Sequence, residues 1–241
     1  MPTDEVDLSL RRAETREASA LADLYSRARV AAVPMMPAAL HTNEEDRAWF
    51  ATKLASSEHE TWVAERGDDL LGYALIDHGW LDHLFIRPDV TGQGVGTALL
   101  DLVKSLRPDG FCLWVFETNA GARRFYRRHG LVDLEGTDGS GNEEKAPDVR
   151  MAWPGTDPLA FFRGLIDDAD AQLGDLLARR AALTRVVQAH KRDPGRDRGR
   201  ERRIAEAMAL RAPELGAGRL FRIVDAIITE SLDAAGGDPA R

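Results

Sequence analysis

The sequence predicts two unlike domains: a mixed α/β domain over residues 1–155 and an all-α domain of three helices over residues 156–241. The first reason is a break in composition. Residues from Pro158 onward carry 15 Lys and Arg against 13 Asp and Glu, a balance of +2, while those before it carry 17 against 27, or −10; all five Trp and all three Tyr also precede Pro158. The second is periodicity, because helical spacing alternates with short runs of strand formers up to Trp153 and only helical spacing follows. The third is length: 241 residues suffice for two cores of ordinary size.

Composition narrows the function classes. No stretch of about eighteen uncharged apolar residues occurs, so no membrane partner is predicted. The opening MPTDEVDLSLRR lacks the basic-then-apolar pattern of a secretion signal. The lone Cys112 excludes an intramolecular disulfide and a multi-cysteine metal site, which predicts a cytoplasmic location and no metal.

Apolar residues at helical spacing predict helices over 16–31 and 43–56, the second with Asn43 as N-cap and acids in its first turn. TWVAE (61–65), LLGYALI (70–76) and LDHLFIR (81–87) are rich in strand formers and read as a meander, with a Gly-Asp-Asp turn between the first two. PDVTGQGVGTALLDLVKSL then sets Gly92, Gly94 and Gly96 beside Val95, Leu99, Leu102 and Leu106 at helical spacing. A strand, a glycine loop and a helix follow from this pattern. Glycines let backbone N–H groups approach an anion and unpaired amides at a helix start favour phosphate, although the same residues also suit an ordinary tight turn. FCLWVFET (111–118) is apolar on both faces, as a buried strand should be, and NAGARRFYRRHGLV (119–132) is a helix ended by Gly130.

Together, TGQGVG and WVFETNAGARRFYRRHGLV resemble the GNAT acyl-CoA N-acyltransferase superfamily over about residues 8–155. The resemblance implies an α/β fold whose mixed sheet splays between strands 81–87 and 111–118, with acetyl-CoA in the notch as acyl donor. It also implies that backbone groups near Phe85 and Ile86 pair with the pantetheine arm. Amides of Gln93, Gly94, Val95, Gly96 and Thr97 would hold the pyrophosphate, and Asn119 would contact the cofactor. Tyr126 stands where many members have the acid that protonates the departing thiolate; a phenol of ordinary pKa about 10 suits that role. Thr91 departs from the Arg or Gln usual three residues before the first glycine of the final GxG.

Attack on a thioester needs a neutral amine, so a base or water relay is expected, with the carbonyl polarised by a backbone N–H of the splayed strand. Asp82 and His83 lie on that strand and by alternation face opposite sides, so at most one points into the cleft. His41, Glu143 and Glu144 are loop alternatives. His59, His78 and His129 show no ligand spacing.

From Pro158 to Lys191 the chain predicts one helix, roughly 50 Å long at about 1.5 Å per residue. Leu159, Phe162, Ile166, Ala169, Leu173, Leu176, Leu183 and Val187 form its apolar stripe. Arg180 fills the gap in that stripe, Lys191 continues its rhythm, and Arg163 lies four residues beyond Leu159. Charges on an apolar seam are costly unless paired, so a functional role for Arg180 and Lys191 stands beside a snorkelling one. A polar turn at 192–199 precedes helices over about 200–212 and 217–234, the last with Leu220, Val224, Ile227 and Ser231 on one stripe. So long a helix cannot bury its seam against two short partners, which predicts an intertwined homodimer. Acids interleave with the arginines of RDRGRERR and no stacking aromatics accompany them, so no nucleic-acid partner is predicted.

FRGLIDDADAQLGDLLARRAALTRVVQAHK, DRGRERR and IITES resemble, over about residues 158–235, the all-helical chorismate mutases. By that resemblance Arg163, reaching into the partner's site, and Arg180 are the first-helix arginines, and Lys191 meets the breaking ether oxygen. Asp197, Arg200 and Glu201 match the start of the second helix, with Glu201 on the ring hydroxyl, and Ser231 matches the serine of the last. The rearrangement of chorismate to prephenate needs no nucleophile, metal or cofactor. Its site must hold a dicarboxylate in a compact shape and stabilise charge on the ether oxygen, tasks suited to forked arginines and a lysine. Ala235 departs from the family's Gln or Glu, and a lost donor there costs on the order of 3 kcal/mol, about a hundredfold in rate. The turn between Lys191 and Asp197 is also shorter than in typical members.

The combined expectation is a bifunctional protein acting on small-molecule substrates: an amine acceptor, and chorismate or an amino analogue. The alternative is an acetyltransferase whose helical domain is a non-catalytic dimerisation or chorismate-sensing module. The fusion itself invites an amino derivative of chorismate or prephenate as the acetyl acceptor.

Overall fold

The computed structural model describes residues 7–191 and 196–236. They form two compact units, one up to Phe162 and one from Arg163 onward. No helix among the described residues is long and apolar enough to cross a membrane.

The first unit is a seven-stranded sheet between two helical layers. In chain order its elements are β1 (Ser9–Arg12), α1 (Ala18–Ala32), α2 (Asn43–Ala55), β2 (His59–Arg66), β3 (Asp69–Asp77), β4 (Trp80–Ile86), α3 (Val95–Leu106), β5 (Phe111–Phe116), α4 (Ala120–Arg128), β6 (Val132–Thr137) and β7 (Asp148–Trp153). The strand order is β1-β2-β3-β4-β5-β7-β6, antiparallel throughout except where β4 runs parallel to β5. Alternation along β3 divides the core: Tyr73 and Leu75 pack with Leu21, Leu24 and Phe50 beneath α1 and α2, while Ala74 and Ile76 pack with Leu99 and Val103 of α3. The helix expected over 43–56 begins one residue earlier in its capping than predicted. Thr42, not Asn43, is the N-cap, accepting from the Glu45 N–H while the Glu45 carboxylate accepts from the Thr42 N–H. Cys112 lies buried in β5, as expected.

The second unit is helical. It contains most of α5 (Pro158–His190), with α6 (Arg198–Ala209) and α7 (Gly216–Gly236). Ala205, Leu220 and Val224 are buried where α6 meets α7, but α5 buries no residue, and Leu159, Ile166, Leu176 and Leu183 of its stripe are 59–60% exposed. Part of the expected polar turn, residues 192–195, lies outside the described residues.

Candidate active sites

β4 and β5 pair only at Trp80 and Cys112. Beyond that point they diverge around a cavity of about 690 Å³ whose walls include Leu84, Phe85, Val115, Asn119 and Tyr126. The glycine loop leads into α3 over Ile86 of β4. Gly92 and Gly94 have φ of 84° and 88°; a Cβ at either would meet nothing within 4 Å, so backbone conformation rather than crowding selects glycine there. Among the described residues, the N–H groups of Gly94, Val95, Gly96 and Thr97 donate to no backbone carbonyl, whereas that of Gln93 donates to Val90 at 3.2 Å. Four of the five expected amides are therefore open, and Gln93 is engaged in the turn. These open amides at a helix start fit a pyrophosphate. Ile86 lies under the loop, its Cγ1 3.6 Å from where a Gly96 Cβ would be.

Asn119 has a structural task besides lining the cavity: its side-chain oxygen accepts from the Ala122 N–H at 3.1 Å and caps α4. Tyr126 is buried edge-on against Phe125, with ring centroids 5.3 Å apart. Burial moves its phenol further above the ordinary value, which keeps the proton in place. The Thr97 hydroxyl lies 3.1 Å from His129 Nε2, whose Nδ1 is 2.8 Å from the Phe125 carbonyl. Nδ1 therefore carries the hydrogen, and Thr97 donates to Nε2.

Strict alternation fails at β4. The register with β3 runs from Leu75 opposite His83 to Ile76 opposite Leu81, leaving Asp82 as the extra residue of a bulge. As a result Asp82 and His83 face the same side, contrary to expectation. His83 stacks on Tyr25 and Trp49, at 5.3 and 4.9 Å, above the α1–α2 layer. A carboxylate oxygen of Asp82 lies within 4.8 Å of ligand atoms of His59 and Asp77 on that layer. This brings together a His and two acids that spacing did not reveal, with the Lys53 Nζ 2.6 Å from His59 Nε2. Burial beside Asp77 raises the Asp82 carboxyl above its ordinary range.

His83 is unsuited to be the base. Burial pushes its pKa down to about 3. Tyr73 is fully buried and must donate its hydroxyl to an acceptor, and His83 Nδ1 is 2.9 Å away. The imidazole is thereby fixed with its hydrogen on Nε2, a donor. Of the loop alternatives, Glu144 lines the cavity while His41 and Glu143 pair with each other on the exposed surface. Arg29, which the sequence analysis did not single out, is 5% exposed and donates to Glu144 at 3.1 Å. Its signal was present: Arg29 falls one turn after Tyr25 on the buried face of α1.

In the helical unit Arg180, Lys191, Asp197, Arg200 and Glu201 line one cavity of about 280 Å³, joined by Arg196. Arg180 is anchored from behind, donating to the Ser231 hydroxyl at 2.6 Å and to the Ile227 carbonyl at 3.2 Å. Burial and the neighbouring Arg200 lower its pKa. Ser231 thus positions Arg180 rather than lining the cavity. Asp197 caps α6 by accepting from the Arg200 N–H at 2.9 Å. Glu201 is grasped in a fork by the unpredicted Arg196, at 2.7 and 3.0 Å, and by Arg198 at 3.1 Å. Those partners, Arg196 foremost, lower its pKa, and they occupy the carboxylate expected to meet a ring hydroxyl. Arg163 is exposed on the same helix as Arg180, about 25 Å away along the axis.

Residues 57–131 match the acetyltransferase (GNAT) domain family and residues 162–235 match chorismate mutase type II. The chain is 33% identical over 98 residues to the peptidyl-lysine N-acetyltransferase YiaC of Escherichia coli, covering 39% of this chain and 64% of that protein. It is 32% identical over 125 residues to the peptidyl-lysine N-acetyltransferase YjaB of Escherichia coli, covering 52% of this chain and 82% of that protein. The solution structure of apo-form YjaB aligns with a TM-score of 0.51 at 26% identity, over 62% of this chain and 99% of that one. At 15% identity and a TM-score of 0.51, yncA from Salmonella typhimurium, solved with its cofactor acetyl-CoA, shares the fold over 61% of this chain and 94% of its own. The chain belongs to the GNAT acetyltransferases, and its helical unit is a chorismate mutase type II domain.

Proposed function

We propose that the first unit transfers the acetyl group of acetyl-CoA to a primary amine. The observation that carries this reading is the set of four open amides in the loop over Ile86 of β4, together with the unpaired edge of β4 along the cavity and the phenol of Tyr126 in its wall. The amides of Gly94, Val95, Gly96 and Thr97 hold the pyrophosphate, and the backbone of Phe85 and Ile86 pairs with the pantetheine arm. Glu144, through water, takes the proton that the amine must lose. A β4 backbone N–H polarises the thioester carbonyl as the amine nitrogen bonds to its carbon. Once the C–N bond has formed the nitrogen sheds a second proton, Tyr126 gives its own proton to the departing sulfur and is reprotonated from solvent, so of the two protons the ammonium loses one is balanced by the thiol and one is released to water. His83 contributes a fixed N–H donor. Calorimetry with acetyl-CoA tests the reading, and no detectable heat sinks it.

We further propose that the cavity in the helical unit binds a chorismate-like dicarboxylate and rearranges it to prephenate. Arg180 and Arg200 clamp carboxylates and Lys191 meets the ether oxygen, while Arg163 serves the site of a second copy. The exposed stripe of α5 supports such a dimer, and light scattering tests it. Ala235 favours a second reading, in which this unit is a non-catalytic dimerisation or chorismate-sensing module. Following chorismate by ultraviolet absorbance decides between them: wild type indistinguishable from Arg180→Ala and from buffer removes the mutase reading. A soluble cytoplasmic setting suits both activities.

A further inference from the structure

Resting on the acetyl-transfer reading, we propose that His83 is a further catalytic residue, a neutral imidazole that donates its Nε2–H to the acetyl oxygen of the thioester as that oxygen gains charge. Tyr73 is the positioning residue that fixes this donor. Its phenol is fully buried, and among the described residues its hydroxyl meets one partner, His83 Nδ1 at 2.9 Å. A buried hydroxyl needs an acceptor, so Nδ1 accepts and the ring hydrogen sits on Nε2. Nε2 has no acceptor among the described residues, yet it is not sealed in the core: His83 is partly exposed and lines the cavity. The ring is held on three sides, stacked between Tyr25 and Trp49 at 5.3 and 4.9 Å and edge-on to Phe85 at 5.3 Å. Burial, with Arg29 and Lys53 nearby, disfavours the imidazolium, so the group offers its hydrogen without a charge of its own.

Topology brings the acyl end to this donor. The glycine loop follows the C-terminal end of β4, where Ile86 lies beneath it. A cofactor whose pyrophosphate meets that loop, and whose arm lies along Ile86 and Phe85, runs back towards the start of the strand. There the pairing of Trp80 with Cys112 closes the notch, so the thioester falls beside Leu84 and His83, both in the cavity wall. Tyr126 packs with the core beneath α3, whereas Phe85 packs with the core beneath α1 and α2, and His83 shares the Phe85 face. The two groups thus flank the notch from opposite faces and serve different atoms. When the amine nitrogen bonds to the carbonyl carbon, the C=O electron pair moves onto oxygen, where the β4 backbone N–H and His83 Nε2–H meet it. Collapse returns that pair and expels the sulfur, which takes the Tyr126 proton, while the imidazole keeps its hydrogen throughout.

Nitrogen NMR of the full chain carrying labelled histidine tests the donor directly. In wild type the His83 hydrogen should lie on Nε2, and the Nε2 resonance should move on addition of acetyl-CoA but not of CoA lacking the acetyl group. Tyr73→Phe should show both tautomers, a change that a merely structural role for Tyr73 would not produce. Thiol release with an Nα-blocked lysine peptide as amine tests the role: at saturating substrates His83→Phe should lower kcat about a hundredfold and Tyr73→Phe at least about tenfold. Acetyl-CoA affinity by calorimetry should stay within about twofold of wild type in both, because the donor acts on charge that only the transition state carries. A wild-type hydrogen on Nδ1, an equal response to acetyl-CoA and CoA, or a His83→Phe loss confined to the peptide KM overturns the proposal. Where a variant does not fold or the peptide is not turned over, the wild-type resonances decide alone. Absence of acetyl-CoA binding to wild type instead removes the acetyl-transfer reading beneath it.

Discussion

Acidification should destabilise the first unit through His83, by an amount that follows from its environment. The imidazole is stacked between Tyr25 and Trp49, and its pKa is held at about 3 against an ordinary 6.5. Between those values the unfolded chain binds a proton at this residue and the folded chain does not. Stability contributed by the neutral imidazole is thus intact above pH 6.5 and falls as pH drops towards 3. At about pH 5 the difference spans some 1.5 pH units, or about 2 kcal/mol at 1.36 kcal/mol per unit. His83→Gln removes the titration while keeping an acceptor for the Tyr73 hydroxyl. All five tryptophans precede Pro158, so urea unfolding followed by tryptophan fluorescence reports this unit alone. Wild type should lose about 2 kcal/mol more than His83→Gln between about pH 7 and pH 5. Equal losses in the two proteins would show that His83 protonates in the folded state, and both the fixed tautomer and its exclusion as a base would be refuted.

Tyr126→Phe should reduce acetyl transfer about a hundredfold or more while acetyl-CoA affinity, measured by calorimetry, changes less than about twofold. Gly94→Ala forces a side chain onto φ of 88°, at a cost of about 1–2 kcal/mol; weaker acetyl-CoA binding with an intact sheet is expected by calorimetry and circular dichroism. Ser231→Ala removes the hydroxyl 2.6 Å from Arg180 but leaves the guanidinium. It should weaken dicarboxylate binding about tenfold, against more than a hundredfold for Arg180→Ala; equal losses would place Ser231 on the ligand itself.

Most of the architecture could be read from the residues, because it rests on signals that local physics writes strongly. The glycine loop before α3 and the apolar run of β5 are of this kind, as is the long stripe of α5. The short strands β1 and β6 and the charged strand β7 gave no comparable pattern, since their pairing is decided by neighbours across the sheet. Arg180 and Lys191 stood out because they interrupt an apolar seam, and the resemblance to the chorismate mutases joined Asp197, Arg200 and Glu201 to them. Arg196 was not singled out, because besides its local fork onto Glu201 it is held by Asp225 and Thr229 of α7, contacts that spacing does not show. Asp82 and His83 failed for a different reason. One extra residue in β4 reverses the face that alternation assigns, and nothing in LDHLFIR marks it.

The charges of the two cavities bear on why the units share a chain. Around the helical cavity Arg180, Lys191, Arg196 and Arg200 stand against Asp197 and Glu201, and the Glu201 carboxylate is held by Arg196. That cavity suits a dicarboxylate, whereas the notch is lined by Asp82, Asp148 and Glu144 as well as by Arg29. On the proposed readings a dicarboxylate suits the helical cavity, so chorismate itself is expected there rather than in the notch. Chorismate added to an acetyl-transfer assay should then fail to compete with the amine. Any effect it has should change kcat at saturating amine, as a sensing domain would, and a competitive rise in KM would instead place the dicarboxylate in the notch.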